Sequence, residues 1–301
     1  MIEIIICHTD TKLIENLNKN IAETCGTDFI LSPVDNRAGK YDIFQAYQSK
    51  IFQSTADIIV CCHQDIIFHS NNWGKLLEKY FNENENAGAI GVAGGSAHSI
   101  VPCGWMTASP ECERLINIIQ HDSNGNVFSD NTISSKQGLY PAAAIDGVFM
   151  AFRSKVFEDV SFTKHALTGF HGYDIYISLQ LQQHNWKVFV SSEIILEHFS
   201  MGKYSKQYVE NICKIHKIHH KILPVFTSPL NLPNRRYETK SLYFFACAMV
   251  DANVSIYLYC KVILQNIRYC SLFCKSAILL GLGFFSLILK KVLTFAKFSK
   301  N

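Results

Sequence analysis

Asp57-Ile58-Ile59-Val60-Cys61-Cys62-His63-Gln64-Asp65-Ile66-Ile67-Phe68 opens as an apolar run and stops on an imidazole and a carboxylate. The run from Ile58 to Cys62 is short and rich in β-branched residues, which predicts a strand covered on both faces. In an open α/β sheet, ligands bind at the carboxyl ends of the strands. A carboxylate there can hold a hard divalent cation, which in turn can hold phosphates. A strand with a solvated polar end fits the same residues, and this stretch alone does not separate the two.

The segments before it supply the sheet. Ile2 to Cys7 reads as a strand ending at His8-Thr9-Asp10. Asp10 or Thr11 then caps a helix with Leu13, Ile14, Leu17 and Ile21 at helical spacing. Phe29-Ile30-Leu31 opens a second strand that runs into the polar turn Val34 to Gly39, and a helix from about Ile43 to Phe52 follows. The order β-α-β-α-β implies parallel strands with right-handed crossovers. Such a sheet lines up three polar strand ends, His8, Asp35-Asn36 and His63 to Asp65, along one edge. That convergence favours a nucleotide-type site, although neither a GxGxxG nor a P-loop is present.

Beyond it, Trp73 to Phe81 predicts an amphipathic helix, and Ala89 to Gly95 a strand running into glycines. Those glycines fit either a close backbone approach to a ligand or a tight turn. Residues 95–140, with Trp105 and the polar turn Asp122 to Asn126, predict a hairpin or irregular excursion that builds the pocket. Asp146-Gly147 precedes an apolar strand. The loop Gly169 to Gly172, with His171, leads into a helix whose first turn carries Asp174. The helix macrodipole favours a carboxylate there and predicts a low pKa; an ordinary N-terminal acid would look the same. Trp186 to Val190 and Ile194 to Ser200 read as strands, the second ending on His198.

An apolar fraction of 48% with 18% charged residues excludes a disordered chain. The 11 cysteines contain no CxxC and match no zinc spacing, so they read as reduced, buried thiols of a cytosolic protein. No basic segment followed by an apolar run opens the chain, so a signal peptide is not expected. The net charge of +3 divides unevenly: residues 241–301 carry seven Lys/Arg and one acid, leaving −3 for 1–240. An acidic body with a basic, apolar tail excludes a nucleic-acid binder with one basic face. Pro224, Pro229 and Pro233 mark a linker over 223–240. In the tail, Lys261, Arg268, Lys275, Lys290 and Lys297 fall within roughly 60° of one another on a continuous helix. The longest uncharged run, Ser276 to Leu289, has 14 residues, short of the ~20 needed to span a bilayer. Helices lying in the headgroup plane fit this pattern, and so does a helix pair docked on a partner.

Taken together, the N-terminal βαβαβ, the acid-tipped strand, Asp146-Gly147, Gly169-Phe170-His171-Gly172-Tyr173-Asp174 and His198 with Ser200-Met201-Gly202 resemble family-two inverting glycosyltransferases. The likeness covers about residues 2–220 and leans to the streptomycin-biosynthesis-type branch. It implies a GT-A-like α/β fold: a mixed, mainly parallel sheet flanked by helices over 1–222, followed by the linker and a helical apolar/basic appendage over 241–301. It implies that Asp65 holds Mn2+ or Mg2+ on the nucleotide diphosphate, with His63 in the place of a second acid and His198 completing the metal site. His8, Asp35 and Asn36 then hold base and ribose. Asp146, Gly147 and His171 line the donor-sugar side. Asp174 is the general base, with Tyr173 and Tyr176 standing where the family has further acids.

The resulting expectation is transfer of a sugar from a nucleoside-diphosphate sugar to a hydroxyl on a glycan or lipid-linked acceptor, in cell-surface polysaccharide biosynthesis. The enzyme would lie in the cytoplasm, held peripherally by its tail at the inner face of the cytoplasmic membrane, with no nucleic-acid partner. Two alternatives stay open. A nucleotidyltransferase would carry a glycine-rich phosphate loop where His8-Thr9-Asp10-Thr11-Lys12 stands. A non-catalytic membrane adaptor on the same fold would bind no nucleotide.

Overall fold

In the computed structural model the described residues are 1–107, 114–122, 125–133, 137–200, 202–227, 234–271, 285 and 288. The chain opens with β1 (Ile2–His8), α1 (Thr11–Thr24), β2 (Phe29–Asp35), α2 (Ile43–Ile51) and β3 (Ile58–Cys62). Asp10 is the N-cap of α1, accepting from the backbone N–H groups of Lys12 and Leu13. Asp42 and Gln45 form a reciprocal capping box on α2. Each such cap typically contributes about 1 kcal/mol.

Next come β4 (Ile66–Phe68), α3 (Trp73–Glu83), β5 (Ala87–Gly91), β6 (Ala93–Gly95) and β7 (Ala97–His98). A hairpin of β8 (Arg114–His121) and β9 (Val127–Asn131) is followed by β10 (Leu139–Ala142), β11 (Ala144–Ile145) and β12 (Phe149–Arg153). The chain continues through α4 (Tyr173–Gln183), β13 (Lys187–Ser191), β14 (Leu196–His198), α5 (Lys206–Ile218), β15 (Val225–Phe226), α6 (Asn234–Asp251) and α7 (Ile256–Asn266).

The main sheet runs β10-β13-β5-β12-β3-β1-β2. β1 pairs in parallel with β2 and β3, as the βαβαβ reading requires. Pro33 sits in β2, the edge strand, where a missing N–H is tolerated. The sheet is more mixed than expected: β12 runs antiparallel to both β3 and β5, and β10 antiparallel to β13. A second sheet runs β11-β6-β8-β14-β4, with β9 on β8. Alternate residues of the central strands feed two cores. Ile5, Ile59 and Cys61 join one cluster with α2, α4 and α5, whereas Ile4, Ile6, Val60 and Cys62 join the other with α1 and α3.

Two registers position the candidate site. Antiparallel pairing of β12 with β3 sets Phe149 opposite Cys62, so the turn before β12 lies beside the tip of β3. β14 pairs with β4 and β8, setting His198 opposite both Ile66 and Gln120.

The C-terminal region differs from its sequence reading in two respects. α6 begins at Asn234, inside the stretch expected as a linker. Its Leu242, Phe245, Ala246 and Met249 are buried in the same core as α4 and α5, so its docking surface is this chain's own body. The continuous helix on which the basic stripe was counted is also shorter than expected: α7 ends at Asn266, and after one 3-10 turn Cys270 is extended. Lys275, Lys290 and Lys297 lie outside the described residues. Among the described residues, no helix is long and apolar enough to cross a membrane.

Candidate active site

The tip of β3 is tied to its neighbours on both sides. His63 donates its backbone N–H to the carbonyl of Val148, and Asp65 accepts through its carbonyl from the N–H of Phe199. Gln64 takes the N–H groups of Thr9 and Asp10 on Oε1 at 2.9 and 3.1 Å and donates from Nε2 to Thr9 Oγ1 at 3.0 Å. The end of β1 is thereby fastened to the tip of β3.

At that tip His63, Asp65 and His198 each offer a ligand atom, all within 4.8 Å of one another. His63 Nδ1 lies 3.1 Å from His198 Nε2, and Asp65 Oδ1 lies 3.9 Å and 3.7 Å from those two atoms. Gln120 fixes the tautomer of His198. Its Nε2 donates to the carbonyls of His121, His198 and Ser200, so its Oε1 is left to accept the Nδ1–H of His198 at 3.1 Å. The Nε2 lone pair therefore points into the cluster. Burial, followed by the adjacent His63, pushes the pKa of His198 down and keeps the ring neutral. A neutral imidazole whose second nitrogen is held by a hydrogen bond is the usual form of a metal-bound histidine. Two imidazoles and one carboxylate suit Mn2+ better than Mg2+, which prefers an all-oxygen set. The donor set thus fits a divalent ion.

Asp174 faces this cluster through two intermediaries. Its neighbour Tyr173 places its hydroxyl 2.8 Å from His63 Nε2. The Tyr173 ring packs so tightly on Gly147 that a Cβ there would lie 2.2 Å from the hydroxyl oxygen. Gly147 and Ile175 donate backbone N–H groups to the Asp174 carboxylate, the latter at 2.9 Å to Oδ1. Asp146 is the second intermediary, accepting from the Trp105 indole N–H at 2.8 Å and from the N–H of Val148 at 2.7 Å. Its charge is felt by both Asp174 and His198.

The expected low pKa of Asp174 is corrected. Burial, and after it the negative charge of Asp146, pushes it from 3.8 up to about 7. α4 is enclosed on all sides over 175–181, so desolvation of the carboxyl outweighs the helix macrodipole and the backbone donors of Ile175, Asp174 and Gly147.

The remaining expected residues are more loosely placed. His8 ends β1 with its Nδ1 buried and without a hydrogen-bond partner. Asp35 is held by Arg37, whose guanidinium and backbone hydrogen bonds keep its carboxyl well below the usual range. The Asn36 amide is taken up by the backbone of Tyr41, with bonds of 2.9 and 2.8 Å, and shapes the loop. His171 faces α5: its carbonyl accepts from Asn211 Nδ2 and its ring meets Tyr208 edge-on. The contacts of Gln64 with Thr9, of Trp105 with Asp146 and of Tyr173 with His63 are not readable from sequence. Gln120 has no local signal, because only the β8–β14 register brings it to His198.

A GT-A-like α/β fold is the class that this sheet and its flanking helices define. Residues 3–221 match the model of the glycosyltransferase-like family, and the chain belongs to that family. Among solved structures, the crystal structure of GalNAc-T7 with UDP, GalNAc and Mn2+ shares the fold, with a TM-score of 0.52 at 11% identity. The match covers 89% of this chain and 54% of that one, so this chain spans about half the length of the neighbour. No curated protein matches the chain by sequence.

Proposed function

We propose that the chain is an inverting glycosyltransferase that moves a sugar from a nucleoside-diphosphate sugar to a hydroxyl acceptor in cell-surface glycan assembly. The observation that carries this reading is geometric: the half-buried carboxyl of Asp174 opens α4 beside Tyr173, whose hydroxyl lies 2.8 Å from His63 in the His63–Asp65–His198 cluster.

An acceptor hydroxyl is a weak nucleophile at neutral pH, and a carboxylate with a pKa near the working pH is suited to take its proton as the glycosidic bond forms. Asp174 is that base. The Gly147 and Ile175 N–H groups orient it, and enclosure of α4 keeps water from its inner side. His63, Asp65 and His198 would hold a divalent ion, which supplies positive charge against the departing diphosphate. Tyr173 holds the His63 ring in place. A base on α4 and a leaving group held at the tip of β3 come from different elements, which is the separation that inversion requires. The neighbour's bound UDP and Mn2+ are in keeping with this arrangement. The motif spelling Gly169 to Asp174 favours the streptomycin-biosynthesis-type branch.

The tail has a place in this reading as a membrane-surface contact near a lipid-linked acceptor. On α7, Tyr257 is 75% and Leu264 71% exposed, and Lys261 sits over the Tyr257 ring. These three share one face of α7, apolar and basic at once, and Arg268 follows in the 3-10 turn beyond it. Because α6 is part of the core, deletion of 241–301 would unfold the protein. Lys261→Glu with Leu264→Asp is the informative variant, and unchanged sedimentation with anionic vesicles would remove the tail from this role.

The decisive test measures thermal stabilisation by UDP, GDP and CMP with and without Mn2+, then donor turnover by the wild type and Asp174→Asn. A metal-dependent diphosphate response, with turnover abolished but binding kept in the variant, is expected. An adaptor would show no response, and a nucleotidyltransferase would prefer a triphosphate and release pyrophosphate.

A further inference from the structure

A second group of metal-binding side chains lies away from the strand tips. His98 on β7, Cys103 in the following loop and His216 on α5 are 0%, 1% and 5% exposed. Each brings a ligand atom within 4.8 Å of the others. The Nε2 atoms of the two histidines are 3.1 Å apart. Two imidazoles on one tetrahedral zinc have their nitrogens separated by roughly 3.3 Å, as follows from Zn–N bonds near 2.05 Å.

The surroundings orient these donors. The backbone carbonyl of Ile100 accepts from His216 Nδ1, which leaves the Nε2 lone pair facing His98 and the N–H of Cys103. This is the arrangement by which backbone carbonyls hold metal-bound histidines. Hydrogen bonding within the group is incomplete. His98 Nδ1 is buried without a partner, and so is Nε2 of His219, one turn further along α5.

An acidic side chain, Glu238 of α6, is packed against the same loop, and burial pushes its pKa up. The loop between His98 and Cys103 holds the buried carboxylate of Glu238, which takes the Ser99 hydroxyl and the N–H groups of Ile100 and Val101.

We propose that His98, Cys103 and His216 form a second, structural metal site for a borderline-soft divalent ion such as Zn2+. Thiolate and imidazole donors select such an ion over the hard cation suited to a diphosphate. The site clamps β7 and its loop to α5. Trp105, two residues beyond Cys103, donates to Asp146, so the clamp also holds one wall of the catalytic cleft. On binding, the Cys103 thiol gives its proton to solvent and the thiolate sulfur donates to the metal, one proton per ion.

Co2+ titration of the full chain tests this. Wild type and His63→Ala are expected to show a thiolate-to-cobalt charge-transfer band, absent in Cys103→Ser, with about one proton released per thiolate-bound ion. No band in the wild type, or an unchanged band in Cys103→Ser, overturns the site. Should Cys103→Ser fail to fold, zinc-edge X-ray absorption of the zinc-loaded His63→Ala protein reads the ligands directly. About one sulfur near 2.3 Å is expected, and a shell of nitrogen and oxygen alone refutes the proposal. Neither readout depends on glycosyl transfer, so failure here leaves the catalytic reading standing, and the reverse holds as well.

Discussion

Replacing Asp174 by asparagine should stabilise the folded protein, and by more at high pH than at low. Between pH 3.8 and about 7 the folded chain keeps a proton on this carboxyl that the unfolded chain has already lost. A group whose proton affinity is raised by folding therefore withdraws stability as pH rises through that window. At about 1.36 kcal/mol per pH unit, the whole rise costs on the order of 4 kcal/mol once the window has been crossed, and less than half of that at pH 5. Asparagine has nearly the same shape, stays neutral and can still accept the Ile175 and Gly147 N–H groups, so it escapes the penalty. Urea denaturation of both proteins at pH 5 and pH 8 reads the effect, because titrating groups remote from Asp174 cancel in the difference, while Asp146, whose charge it feels, responds with it. The variant should lead at both pH values, by on the order of 4 kcal/mol at the higher and by less than half of that at the lower. A gap that is independent of pH, or that narrows towards pH 8, would refute the burial argument and the assignment of a raised pKa with it.

Three further outcomes follow from the same geometry. The rate of transfer should climb through an acid limb near pH 7 as Asp174 ionises, and Asp146→Asn should move that limb to lower pH by removing a neighbouring negative charge, read from kcat/KM profiles. Gly147→Ala should displace Tyr173, since its Cβ would lie 2.2 Å from the hydroxyl; a stability loss of about 1–3 kcal/mol and loss of turnover are expected by denaturation and donor assay. Gln120→Leu should free the His198 ring and weaken Mn2+ affinity by roughly 10- to 100-fold, measured by calorimetry, with little change in melting temperature.

The N-terminal half of the fold was legible because its signals are local. β1, β2 and β3 alternate residues between two cores, and the caps at Asp10 and Asp42 stand where helix starts demand them. The antiparallel insertions of β10 and β12 were not legible, because strand direction in a sheet is set by tertiary pairing and not by the residues of the strand. The tail misled for a related reason: α6 looks like an appendage by composition, yet its apolar face is buried in this chain's own core.

The site divides along the same line. His63, Asp65, Asp174 and His198 could be found because strand tips and helix starts are places where sequence position implies spatial position. What sets their chemistry comes from far along the chain: Gln120 orients His198 across 78 residues, and Trp105 reaches Asp146 across 41. The same blindness explains the cysteines. A scan for CxxC cannot see His98, Cys103 and His216, because the last two are 113 residues apart and meet only when α5 packs on the loop after β7. Even the direction of the Asp174 pKa depended on this distinction. The macrodipole is a local property and could be read, whereas enclosure of α4 and the approach of Asp146 are tertiary, and in a desolvated cleft the tertiary terms are the larger ones.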